Sequence, residues 1–405
     1  MQYLFLFVLL SCTVSCAVNH SFKPAEASTE QVSWPVRGGN PQHTGQSLNE
    51  LLLEAAPGEG IESSWRYDSL HSYLAKQNFS HVTMDDEGHF YFQDTYRLVS
   101  LEPDGELRWS LDYNDERQQW IEPVDGIEPQ ICADGQIIIL STHGYLLAVS
   151  DQGEITWSYD TGEGAFLVVG NRIHFAGARN FLVLDSKGEL IWESEINHDA
   201  ESCQQHGFAV SPDGSVLLRG RELKLLNAEG RLVWESPIRN HGARSWDFSV
   251  YANGLWLLSA EDGILAVNDE DGSQAWHHPM QISEQQERIW PCVSREGRIY
   301  IPSSNFPSSD PDLTVLDMNG NTLWTKVLSP GPHSLQKALV LDSTGRACLL
   351  TGFEILVYDV DGIQISSIQL PDDGSVGWSR PQSLLIRRDG GLLVSFHGGP
   401  VFGLP

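Results

Sequence analysis

The sequence predicts an all-β protein built by repeating one four-stranded unit. Three observations carry that expectation. A Gly stands four residues before a Trp six times, in the pairs Gly105 and Trp109, Gly153 and Trp157, Gly188 and Trp192, Gly230 and Trp234, Gly272 and Trp276, and Gly320 and Trp324. These Trp residues recur at intervals of 48, 35, 42, 42 and 48 residues. Between them, Asp-Gly and Asn-Gly pairs separate short apolar runs, which is the strongest short-range hairpin signal. A period of about 40 residues made of strands and tight turns is the signature of a β-propeller, a ring of small sheets.

In chain order, residues 3–10 (Tyr-Leu-Phe-Leu-Phe-Val-Leu-Leu) form an apolar run too short to span a bilayer, and they read as the core of an export signal. Its leading segment carries no Lys or Arg. Leu9-Leu10-Ser11-Cys12 and Thr13-Val14-Ser15-Cys16 both resemble a bacterial lipobox. Cys16 is the favoured acylation site, because Cys12 leaves a very short apolar run. Ordinary cleavage after Ala17 stands as the alternative. Residues 1–16 are thus expected to be a signal with a possible lipobox, and 17–33 a polar tether. The region 34–405 is expected to be one propeller, opened by the turn-rich Trp34-Pro35-Val36-Arg37-Gly38-Gly39-Asn40.

The units begin near residue 80. Their first turns are Asp86-Glu87-Gly88, Asp134-Gly135, Gly170-Asn171, Asp213-Gly214, Asn253-Gly254, Glu296-Gly297, Thr344-Gly345 and Asp389-Gly390, which makes eight units. Second strands follow at Gln136 to Leu140, Ser215 to Leu218, Leu255 to Leu258, Arg298 to Pro302 and Gly391 to Phe396. Third strands include Tyr145 to Val149, Phe181 to Leu184, Leu223 to Leu226, Ile264 to Val267, Leu313 to Leu316 and Ile355 to Tyr358. The seventh unit has Gly362 but Ser366 in place of Trp, so Ile365 and Ile368 are expected to pack there. The eighth unit stops at Pro405, one strand short, while Trp65 sits in a strand with no unit before it. The expectation is that the Trp65 strand completes the last blade and closes the ring, leaving no free edge. Seven blades with one divergent unit outside the ring is the alternative.

Composition limits the partners. The chain has 25 Lys and Arg against 54 Asp and Glu, a formal net charge of −29. Dispersed negative charge repels phosphate backbones and anionic headgroups, so no nucleic-acid partner is expected. Membrane contact is expected through a lipid anchor only, and a monomer is expected. Cys132, Cys203, Cys292 and Cys348 have no C-x-x-C spacing and no adjacent pair. Cys132 and Cys292 fall on opposite sides of the ring, too far apart to bridge. Most of the four are expected to be buried free thiols.

The Asp-Gly hairpin followed by Leu-Asp-x-x-Gly-x-x-x-Trp, as in Leu184-Asp185-Ser186-Lys187-Gly188-Glu189-Leu190-Ile191-Trp192, resembles the pyrroloquinoline-quinone (PQQ)-type propeller repeat. The resemblance covers roughly residues 34–405 and implies one of two functions. One is the quinoprotein dehydrogenases, which would need PQQ with calcium. The other is the non-catalytic lipoproteins of BamB type, which serve outer-membrane assembly. The dehydrogenases are longer, and many carry a vicinal disulfide; no two cysteines are adjacent here. A non-catalytic scaffold of the bacterial cell envelope with a protein partner and no cofactor is therefore the expected function. It is placed at the periplasmic side of the outer membrane, or secreted. A quinone-dependent enzyme and a secreted small-ligand or glycan-binding propeller are the alternatives.

Candidate contact residues lie where a fourth strand connects to the next first strand: Arg244 and Trp246, Arg288 and Trp290, and Trp378 and Arg380. Guanidinium groups pair with carboxylates or phosphates, and indoles cover apolar surface. These residues either form a partner surface or fill the channel mouth and pair with local acids. Trp65, Trp109, Trp157, Trp192, Trp234, Trp276 and Trp324 are read as structural. No catalytic residue and no metal ligand set is expected. His397-Gly398-Gly399 lacks a Gly-x-Ser-x-Gly partner motif and reads as a turn.

Overall fold

A computed structural model of the chain describes residues 46–52, 59–60, 62–68, 81–94, 97–112, 128–177, 180–195, 208–219, 222–239, 249–260, 262–280, 291–303, 312–328, 339–351, 354–370, 381–396 and 400–405. The described residues form an eight-bladed β-propeller without helices. Blade 1 comprises Thr83–Met84, Phe90–Asp94, Arg97–Leu101 and Leu107–Asp112, and six further consecutive blades follow. Blade 8 takes Pro381–Ile386, Leu392–Phe396 and Val401–Leu404 from the C-terminus and Trp65–Tyr67 from the N-terminus. Trp65 pairs with Gly403 and Tyr67 with Val401, antiparallel, so the expected closure of the ring is present.

Why these short segments become strands follows from what flanks them. Ile137-Ile138-Ile139-Leu140 is apolar at every position and buried at every position. Successive strand residues point to opposite faces. Ile137 and Ile139 therefore enter the core shared with blade 1, and Ile138 and Leu140 the core shared with blade 3. A blade is a sheet buried on both faces, and its partners are its neighbours. The hydrophobic core is accordingly a circle of inter-blade layers.

Seven of the eight outer strands are bent in the same way. In blades 1 to 7 the register slips by one residue just before the Trp position, as between Leu190 and Trp192 or Thr322 and Trp324. Such a bulge re-aims the following side chain and blunts an exposed sheet edge. The re-aimed indole lies over the Gly of the next blade's outer turn. Trp157 covers Gly188, where φ is +80° and a Cβ would stand 2.9 Å from the ring. Trp65 covers Gly105, where a Cβ would stand 2.4 Å away. Only glycine satisfies both the backbone angle and the contact.

The indole N–H then donates to a carbonyl of the same turn. Trp65 bonds Pro103, Trp109 bonds Asp151, Trp157 bonds Ser186, Trp192 bonds Ala228, Trp234 bonds Asp269, Trp276 bonds Met318 and Trp324 bonds Val360, all at 2.7–3.1 Å. Seven of the eight seams are held by this clasp.

The seam between blades 7 and 8 differs. Ser366 is buried, Ile368 is in the core, and Ile365 is 42 % exposed. The expectation that Ile365 packs inward is therefore corrected: it is the bulge residue, and the bulge turns it to solvent. Blade 7 also gains a fifth strand, Glu59–Gly60, which runs parallel to Gln364–Gln369. The preceding residues, 46–52, cross the seam itself.

Candidate functional site

The antiparallel blades define two ends. First-to-second and third-to-fourth turns lie at one end; second-to-third turns and the connections between blades lie at the other. The strands flanking the sequence-predicted contact residues end on this second face: Leu232–Arg239 and Ser249–Ala252, Gln274–Pro279 and Cys292–Val293, and Gln364–Gln369 and Pro381–Ile386. Arg244, Trp246, Arg288, Trp290, Trp378 and Arg380 themselves lie outside the described residues, as does Cys16. The seven repeat Trp residues are all described, and all act between blades.

The turn face carries a buried polar cluster on blade 1. The Tyr91 hydroxyl donates to Asp85 Oδ2 at 2.8 Å and accepts from Arg108 Nη1 at 3.1 Å. His89 Nδ1 lies 2.9 Å from the same carboxylate, and His89 Nε2 lies 3.3 Å from Glu102 Oε2. Burial first, and the Asp85 charge second, push the Tyr91 phenol above its ordinary range. Each of these polar groups has a partner in the network, and together they pin the first turn of blade 1. On blade 5, Trp256 donates to Asp269 Oδ1 at 2.7 Å; burial, with the charges of Asp213 and Glu270, raises that carboxyl.

Cys132, Cys292 and Cys348 are buried free thiols, as the sequence suggests; Cys203 lies outside the described residues. Burial pushes Cys292 up to about 12 and raises the other two further, so all three stay protonated at neutral pH. Among the described residues no group of three or more His, Cys, Asp or Glu side chains converges to hold a metal ion.

A family model described as outer membrane protein assembly factor BamB matches residues 179–385, just over half of the chain. The chain belongs to this family. The BamB match spans the end of blade 3 through the first strand of blade 8, so it rests on the repeats carrying Trp192, Trp234, Trp276 and Trp324. Among solved structures, BamB from Moraxella catarrhalis is 12 % identical, covers 85 % of this chain and 98 % of its own, and superposes with a TM-score of 0.57. The computationally designed Ika8 protein is 13 % identical over 82 % of this chain and 96 % of its own, with a TM-score of 0.60. The C-terminal WD40 domain of Sif2 is 11 % identical over 87 % and 99 %, with a TM-score of 0.57. At these identities the likeness is one of fold alone. No curated protein sequence matches the chain.

Membership in the BamB family agrees with the PQQ-like repeat read from the Gly-x-x-x-Trp spacing. The residues missed by sequence reasoning are those at the odd seam: Gln46–Leu52 and their receptor Asp342. The run has neither alternation nor a turn pair, and its contacts lie 291 to 337 positions away.

Proposed function

We propose that the chain is a non-catalytic binding scaffold of the bacterial cell envelope. It is exported, anchored through a lipid on Cys16 at the periplasmic side of the outer membrane, and contributes to outer-membrane protein assembly. The observation that carries this reading is the BamB family match over residues 179–385. A second point supports it: the repeat Trp residues are consumed in holding blades together. That pattern suits a protein whose work is done by a surface.

The partner surface in this reading is formed by the blade connections that carry Arg244, Trp246, Arg288, Trp290, Trp378 and Arg380. Arg and Trp are the side chains that dominate protein interfaces. In a chain of net charge −29, three Arg residues beside Trp select a partner segment with carboxylates and an apolar or ring surface.

The test is capture from detergent-solubilised envelope by the tagged full chain. The triple variant Arg244→Ala, Arg288→Ala, Arg380→Ala is expected to lose capture of membrane proteins while keeping the wild-type circular dichroism and melting point. Undiminished capture by the folded variant would remove these residues from the proposal. Radiolabelled palmitate incorporation that survives Cys16→Ser would remove the anchor.

A further inference from the structure

The blade 7/8 seam is closed by main-chain chemistry of the kind that holds a bound peptide. Gln46 forms a parallel bridge to Leu341, and the Ser47 N–H donates to the Leu341 carbonyl at 2.7 Å. The Ser343 N–H donates to the Asn49 carbonyl at 3.0 Å, and the Leu52 N–H to the Gly390 carbonyl at 3.0 Å. Three side-chain amide and guanidinium contacts add to these. Gln46 Nε2 donates to the Asp342 carbonyl at 3.1 Å, Asn49 Nδ2 donates to the Ile386 carbonyl at 3.1 Å, and Arg346 donates to the Leu51 carbonyl. The receptor groups come from the first turns and strand ends of both blades 7 and 8.

The side chains of the segment sort into buried and exposed positions. Ser47 and Leu51 are buried at 1 % and 3 %, whereas Leu48 and Leu52 are 42 % and 63 % exposed. Leu51 enters the apolar layer shared by blades 7, 8 and 1. Above it, Asp342 is a fully buried carboxylate whose Oδ2 takes the Leu51 N–H at 3.3 Å and Arg346 Nε at 2.6 Å. If the segment left, Asp342 would keep Arg346 and its own turn bonds to Thr344 and Arg346. The receptor therefore does not depend on the segment to neutralise its buried charge.

From this arrangement we infer that the seam is a peptide-binding groove, occupied in cis by the chain's own residues Gln46–Leu52. The recognised chemistry is a peptide bent at its third and fourth residues, where the fourth N–H bonds the second hydroxyl at 3.0 Å, with an amide side chain first and fourth, a small hydroxyl second, and Leu sixth. The amides and hydroxyl are read by carbonyls and buried space, and the Leu by the apolar layer. Covalent linkage gives the cis segment an effective concentration in the millimolar range, which keeps the groove filled. This site is separate from the partner surface proposed above: it lies on the opposite, turn-bearing face.

The test uses the full chain and a fluorescein-labelled synthetic peptide of residues 44–54. The substitution Leu51→Ser in the full chain weakens the cis occupant and leaves the groove intact. The labelled peptide is expected to bind this variant, checked for folding by circular dichroism, at least tenfold more tightly than it binds the unsubstituted chain. A peptide with Leu51→Asp is expected to lose that binding by at least tenfold. No saturable binding to the folded variant, or equal binding to both chains, overturns the inference. If Leu51→Ser does not fold, amide hydrogen exchange on the unsubstituted chain decides. The Ser47, Leu52 and Ser343 amides are expected to open together, at least a hundredfold faster than the amides of the strand Asn180–Asp185. Exchange of those three only with global unfolding overturns the inference equally.

Discussion

Seven seams of this ring and the eighth solve one problem in two ways. At the seven, an indole, re-aimed by a bulge at six of them, crosses to the neighbouring blade, covers a glycine with positive φ and bonds a turn carbonyl. At the seam between blades 7 and 8, the chain's own backbone is laid across instead, and Leu52 stands over Gly390 where a Cβ would meet it at 2.4 Å. The difference follows from how the ring closes. A clasp needs a receiving third-to-fourth turn with its Gly. The outer strand of blade 8 arrives from the N-terminus, so no such turn exists, and residue 61 is Ile where the other units have Gly. An indole at position 366 would have no platform, and Ser366 stands there. The choice of closure thus dictates which repeat loses its Trp.

Removing a clasp is the largest perturbation this comparison predicts. Trp157→Ala deletes a half-buried indole, its stack on Gly188 and its bond to Ser186, and is expected to cost about 3 kcal/mol. Gly188→Val is expected to cost at least as much, because it adds backbone strain to the collision. Denaturant midpoints measure both. If either variant melts like the parent, the clasp is decoration and the comparison fails.

Acid distinguishes one clasped seam by another route. His174 is 2 % exposed in the layer between blades 3 and 4, with Nδ1 lacking a hydrogen-bond partner and Phe181 as a ring neighbour. Burial above all, reinforced by the Arg172 charge and opposed by a bond to the Leu167 backbone, lowers its pKa to about 3. The folded pKa is thus depressed below the unfolded value of 6.5. Between those values the unfolded chain binds the proton and the folded chain does not. Stability is complete above pH 6.5 and falls as pH drops through the window, by about 1.4 kcal/mol per unit. At pH 5 that amounts to about 2 kcal/mol. His174→Leu is expected to remove this part of the acid dependence. A parallel pH profile for both proteins would show that another group carries it.

Much of this architecture was legible in the sequence, and the parts that were not have identifiable reasons. The Gly-to-Trp spacing of four is visible because turn, bulge and indole must fall in fixed order. Eight blades and the closing Trp65 strand follow from counting Asp-Gly turns against strands. The bulge itself is silent, since any residue serves there: Arg108, Ile191, Ala275 and Leu323 all do. That silence is why Ile365 was expected inside. Gln46–Leu52 was illegible because its partners are turn and strand-end groups of blades 7 and 8 that are distant in sequence, and the segment occurs once, outside the repeat. The contact residues proposed on the blade connections lie outside the described residues; the sequence points to them by three Arg and Trp pairs in equivalent connections.

The smallest predicted effect gives the sharpest contrast. Ser366→Trp restores the repeat's consensus at the seam that lacks a receiving glycine. If a Trp at this position were stabilising in itself, the change would raise the melting point. If the platform is what matters, the indole has no turn to cover and must displace the 7 % exposed Ser366 from a packed site. Overpacking of that kind costs about 1 kcal/mol or somewhat more. The expected result is therefore a modest fall in the denaturant midpoint. The partner experiment is Trp324→Phe at the neighbouring seam, which keeps a plate over Gly362 and loses only the N–H bond to Val360, at a cost of about 1 kcal/mol. A gain from Ser366→Trp together with a loss from Trp324→Phe would mean that the indole finds its own acceptor without a glycine turn. Closure would then no longer explain why blade 7 lacks the residue.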